Sequence, residues 1–160
     1  MKKMYPSNLH KFVEFSAFIV LIISFFIAVY GMKTLPDNIA IHFDIHGNPD
    51  GYGSPKTLIL TSILMCIPMG IMSICAHFVD VECMNLTFKL NKINKVEVRK
   101  SIQLMMYLLE LEFSVFGLFI TLKSYNQSGS GILSAVLILV VIMTTTIVWG
   151  MKDSKRKNDM

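Results

Sequence analysis

Apolar positions fall in four long runs, residues 12–30, 57–78, 103–122 and 132–150, separated by polar segments. Each run has roughly the 20 residues that a helix needs to cross a hydrocarbon core of about 30 Å. Backbone groups left unpaired in lipid are costly, so runs of this kind form helices. The pattern predicts an all-α integral membrane protein: a four-transmembrane-helix bundle, one domain over residues 1–151, followed by a polar, disordered tail at 152–160. The first run exceeds the length of a signal-peptide core and no small-residue cleavage site follows it, so it is expected to be a permanent span.

The connection at residues 31–56 breaks the helical pattern. Ile39, Ile41, Phe43 and Ile45 alternate with Ala40, His42, Asp44 and His46, the period-two signature of a strand with one apolar face. Pro36 and Asp37 open the segment with turn chemistry. The Gly47–Asn48–Pro49–Asp50–Gly51 stretch suits a type I turn with Pro49 at its second position. A small strand/turn cap between helices 1 and 2 is therefore expected. The connection between spans three and four is short and rich in Gly, Ser and Asn, as in a tight helical hairpin. Residues 79–101 mix apolar and basic positions and read either as an interfacial helix or as an extension of span three.

Composition supports the membrane assignment: 53% of residues are apolar and 16% charged, against about 25% charged in a typical soluble domain. The distribution of charge predicts the orientation. Lys2, Lys3, Lys11, Lys89, Lys92, Lys95, Arg99, Lys100, Lys152, Lys155, Arg156 and Lys157 flank the runs on one side, and only Lys33, Lys56 and Lys123 on the other. By the positive-inside rule both termini are expected in the cytoplasm of a multi-pass cell-membrane protein, with the cap extracellular. The net charge of +4 is then a flank signal facing the lipid bilayer, and no nucleic-acid partner is expected. Cys66, Cys75 and Cys83 lie away from the outer side, so no disulfide framework is expected.

Two groups of residues could carry chemistry. In the cap, His42, Asp44 and His46 are weak metal candidates. In a strand, residues two apart are about 6.7 Å apart and residues four apart about 13 Å, so the two histidines cannot easily share an ion with bonds of about 2 Å. One histidine with Asp44 could, given a third ligand from elsewhere. In span three, Glu110 and Glu112 lie roughly 10 and 14 Å from the inner edge, counting about 1.5 Å per residue from Gln103. A carboxylate at that depth is a functional candidate by default. About 200° of helical rotation separates the two, so they point to opposite sides and form no dyad. Thr144, Thr145 and Thr146 reach the same depth, with Thr144 taken as an intramembrane polar site beside the glutamates and Ser73 close by. Glu14 is expected to be shallow enough to snorkel.

The cap sequence LPDNIAIHFDIHGNPDGYGSPK resembles the signature of domain-of-unknown-function family 1648, which includes membrane immunity proteins of the SdpI type and typically reads L-P-x-x-I-P-x-H-F-x-x-x-G-x-P-D-x-x-x-x-K. Leu35, Pro36, Ile39, His42, Phe43, Gly47, Pro49, Asp50 and Lys56 match in order and spacing, with Asp44 inside the same motif. Ala40 replaces a common second proline, and the chain lacks the further spans of the longer immunity proteins. The resemblance implies a non-enzymatic protein that meets an extracellular ligand, such as a toxic peptide, through Leu35–Asp50, with a membrane or regulatory protein as a second partner and no cofactor. The alternative is a membrane enzyme or transporter subunit working through His42 and Asp44 or through Glu110 and Glu112. No Ser/His/Asp order, His-Glu-x-x-His or phosphate-cradling glycine loop is present to specify a reaction.

Overall fold

The computed structural model describes residues 6–160; Lys2 and Lys3, used above for orientation, lie outside them. Four helices carry the chain: α1 Asn8–Thr34, α2 Thr57–Phe78, α3 Lys95–Tyr125 and α4 Ile132–Asn158. All four are long and apolar enough to cross a membrane, so this is a multi-pass membrane protein. Between α1 and α2 lie two antiparallel strands, β1 Ile39–Phe43 and β2 Pro49–Gly53.

The outside of the bundle is apolar and its inside partly polar, the inverse of a water-soluble bundle. Phe12, Ile19, Phe26, Leu60, Ile67, Ile74, Leu137 and Val141 point outward. Between lipid and protein there is no hydrophobic driving force to bring helices together, so close packing and buried hydrogen bonds must do it. α3 is the centre, packing against α1, α2 and α4, while the substantial packing of α4 is against α3.

The cap has a second strand where the sequence suggested only a turn. Pro49–Gly53 pairs back on β1, and the register shifts between Ala40 and His42 and again between His42 and Phe43. These irregularities break the simple alternation expected of β1. Ile39 and Ala40 are both buried, whereas Ile41 and Ile45 are exposed. A bulge turns the strand locally and re-aims its side chains, which is why the period-two reading fails beyond Ala40. Ile39 joins Ala28 and Leu58 in a small core, with Leu35 packed on it; burying such a side chain contributes about 1.5–3 kcal/mol.

The cap also docks on the α3–α4 connection. The Ala40 N–H donates to the Gln127 side-chain oxygen at 2.6 Å. Gly47, at φ +86°, lies so close to Gly129 that an added Cβ would sit 2.8 Å from the Gly129 carbonyl. A Cβ on Gly129 would meet the Phe43 ring at 2.5 Å. Only glycine allows both the left-handed backbone at 47 and this backbone-to-backbone approach.

At the opposite end the sequence reading needs two corrections. Of residues 79–101, the part from Lys95 extends α3. The rest is a 3₁₀ turn at Val81–Cys83 and a strap without helix, whose Leu86, Phe88 and Leu90 pack on Val81, Val98 and Ile102. The segment after 151, expected to be a disordered tail, is the last two turns of α4. Asn158 holds it: its side-chain oxygen accepts from the Asn91 N–H at 2.6 Å, and its amide donates to the Lys89 carbonyl at 3.2 Å. Ser154 and Asn158 are buried, and Asp153 accepts from Ser101 across the α3–α4 interface. Polar composition read as disorder here marks a helix end satisfied by partners.

Candidate functional site

In the cap, the family-motif residues divide between scaffold and surface. Leu35 and Ile39 pack in the small core, and Phe43 and Gly47 seat the hairpin on Gly129. Asp44 folds the turn: its Oδ1 accepts from the backbone N–H groups of His46 and Asn48, both at 2.8 Å, and its Oδ2 from the Asn48 amide. The Asn48 backbone and side chain, then His46, hold the Asp44 carboxyl below its ordinary value. A carboxylate accepting several N–H bonds is stabilised in its charged form. His42 pairs across the strands with Asp50 in an exposed contact. His42 and Asp44 are thus committed to different partners, and His46 is exposed. Among the described residues no group of three or more His, Cys, Asp or Glu side chains is close enough to hold a metal ion.

The cap leaves several of its side chains exposed. Ile41, His42, Ile45 (73% exposed), Asp50 and Tyr52 (62% exposed) lie on or beside the hairpin. Among the described residues the sheet has two strands, and β2 has no strand on its far side. Pro36 and Pro49 are also exposed.

Within the bundle, the two span-three glutamates part as the helical rotation requires. Glu112 faces α4, where Thr146 donates to one of its oxygens; the other is enclosed without a hydrogen-bond partner. Beside it runs an apolar groove of about 330 Å³ between α3 and α4, bounded by Leu111, Phe116, Phe119, Ala135 and Ile142. Thr144 is not part of this contact. It is exposed and donates to the Val140 carbonyl of its own helix, as Thr145 does to Val141. The choice among three consecutive threonines is set by helix phase, about 100° per residue.

Glu110 faces the other way, into the α1/α2/α3 core, where it is fully buried and both its oxygens lack a hydrogen-bond partner. Within electrostatic reach lies Glu14, which does not snorkel at all: it is 2% exposed. Ser73 donates to Glu14 Oε1 at 2.9 Å, and His77 Nε2–H reaches both carboxylate oxygens, at 2.9 and 3.1 Å. The Tyr107 hydroxyl lies 3.4 Å from the same nitrogen. Arg99 donates to the His77 carbonyl and Gln103 to the Ala76 carbonyl, closing the end of α2. His10, edge-on to Tyr107, bonds Ser7 and the Lys100 carbonyl.

This cluster escaped the sequence because its members come from three helices. One signal was available: on α3, Gln103, Tyr107, Glu110, Ser114, Gly117 and Thr121 recur at spacings of four and three. That is a polar stripe on an otherwise apolar helix, and all six are buried.

Residues 19–66, from the middle of α1 through the cap into α2, match the model of a family described as a domain of unknown function, DUF1648. No curated protein and no solved structure matches the chain. The matched segment contains the whole cap and the parts of α1 and α2 next to it, so the likeness to DUF1648 lies in the cap and its framing helix ends within a multi-pass membrane protein.

Proposed function

We propose that the protein is a non-enzymatic protein of the cell membrane, with both termini cytoplasmic, that recognises an extracellular ligand such as a toxic peptide through its cap. In this it resembles immunity proteins of the SdpI type, acting by sequestration or by signalling to a regulatory partner inside. The observation that carries the reading is the edge of β2 left unpaired among the described residues, in a cap that also exposes Tyr52 and Ile45. An exposed sheet edge offers main-chain hydrogen bonds to an extended peptide, and flanking apolar side chains select its sequence. The exposed His42–Asp50 pair adds a polar mark at the same surface. Asp44, by contrast, shapes the turn by accepting the His46 and Asn48 N–H groups.

The test is a gene deletion complemented with wild type or with Tyr52→Ala/Ile45→Ser, challenged with peptide toxins made by the host and its neighbours. Deletion should raise sensitivity to at least one peptide. The double variant, present in the membrane at wild-type level, should fail to restore protection. An unchanged sensitivity profile on deletion sinks the reading.

A further inference from the structure

The core of this bundle is built unlike a mere packing interface. From Gln103 to Thr121, the polar stripe of α3 extends over about 27 Å of helix, close to the thickness of a hydrocarbon core. Other helices answer it with polar groups at both ends. Near the strap end stand His10 and Glu14 from α1 and Ser73 and His77 from α2. Near the cap, Ser24 of α1 bonds Thr121 at 2.8 Å while Thr121 donates to the Gly117 carbonyl. Ser24 is therefore the donor in that pair. Ser62 of α2 is enclosed nearby, its hydroxyl without a partner among the described residues. In the middle sits Glu110, fully buried, flanked by Ser114 one turn along the stripe.

We propose that the α1/α2/α3 core is a proton path across the membrane, with Glu110 as its central carrier and the Glu14–His77 pair as the next station. Two observations point to a proton rather than to packing. A buried structural carboxyl is held by donors, as Glu14 is by Ser73 and His77, whereas neither oxygen of Glu110 has one. Glu110 is also fully buried at membrane depth, where an unpaired carboxylate is costly and a carboxylic acid much less so. The surrounding ionisable groups suit the next transfers. Glu14, His77 and Tyr107 share one contact network, with His10 edge-on to Tyr107.

Each transfer moves one proton from an oxygen or nitrogen to its neighbour, so the donor loses and the acceptor gains one unit of charge and no other bond changes. Glu110 bonds neither Ser114 nor Glu14 in this state, so passage requires a side-chain rotation or an intervening water. Glu112, on the α4 side with Thr146, lies off the path.

The test uses the purified full chain in liposomes with a trapped pH dye, driven by a potassium diffusion potential with valinomycin. Wild-type vesicles should change internal pH several-fold faster than protein-free vesicles. Glu110→Gln should fall to the protein-free rate, and Glu112→Gln should keep the wild-type rate. Wild-type flux no faster than that of empty vesicles overturns the proposal. So does a Glu110→Gln variant that conducts like wild type while eluting and showing helical circular dichroism as wild type does. Should Glu110→Gln not fold, Glu14→Gln takes its place with the same two readings. Peptide protection is not read in this assay, so the cap function and the path stand or fall separately.

Discussion

Glu14 and Asp44 show how one residue type does different work in different surroundings. Glu14 sits in the bundle with His77 and Ser73 as donors. Removing one partner of a buried pair leaves the other desolvated and unpaired, a loss of about 3–5 kcal/mol. Glu14→Ala is therefore expected to lower thermal stability in detergent sharply, and Glu14→Gln, which keeps an acceptor for both donors, much less. Equal melting of the two variants would contradict the assigned contacts. Asp44 works at the surface, where its lowered pKa ties the turn to pH. Because the folded value lies below the ordinary 3.8, its contribution is complete above that pH and disappears as pH falls through the folded value. The Asn48 amide resonance is expected to move as pH falls below about that point. In Asp44→Ala the turn should be loose at every pH. Neither role was legible from residue type. Glu14 lies near the start of an apolar run, where a long side chain can reach water. Its burial depends on α2 and α3 arriving beside it with a histidine and a tyrosine.

Among the elements, the spans were the most legible part of the chain, because lipid imposes both length and hydropathy on a crossing helix. The two-stranded cap was half legible: β1 announced itself by alternation, whereas β2, with Pro49, Gly51 and Gly53 in five residues, has the composition of a turn and becomes a strand only by pairing with β1. The end of α4 was illegible because its residues are polar. Its helix is held by Asn158 against the strap, a contact made from residues 67 and 69 positions away. Losing both bonds in Asn158→Ala should cost about 1–3 kcal/mol and loosen the strap. Limited proteolysis should then cut within residues 84–94 faster than in wild type, with the helical spectrum otherwise kept. At the cap, Gly129→Val would place side-chain carbons where the Phe43 ring and the Gly47 carbonyl now lie. The hairpin is expected to undock, seen as faster hydrogen exchange at Ala40 with the transmembrane helices unchanged.

Taken whole, the molecule has a three-helix polar core with a fourth helix leaning on α3, and its two ends differ in chemistry. The cap end has few cations and an exposed strand edge; the strap end gathers Lys89, Lys92, Lys95, Arg99 and the cations of the last turns of α4. The positive-inside rule predicts that the strap end faces the cytoplasm, and cysteine labelling measures it directly. With Cys66 and Cys75 changed to Ser, the exposed Cys83 beside the strap is expected to resist a membrane-impermeant maleimide until cells are opened. A cysteine placed at Ile45 in a background lacking the other three should react in intact cells. The reverse pattern would turn the molecule over and remove the cap from any outside ligand.

The seating of the hairpin on Gln127 and Gly129 also has a consequence for biogenesis. A ribosome making this chain releases the cap sequence more than seventy residues before the loop that receives it. The first helical hairpin must therefore enter the membrane with its sheet undocked, exposing Phe43 and a bare backbone edge until α3 has threaded across. Cap closure is thus a signal that the second hairpin has inserted, and a nascent chain stalled before residue 127 would be the form most open to quality-control proteases.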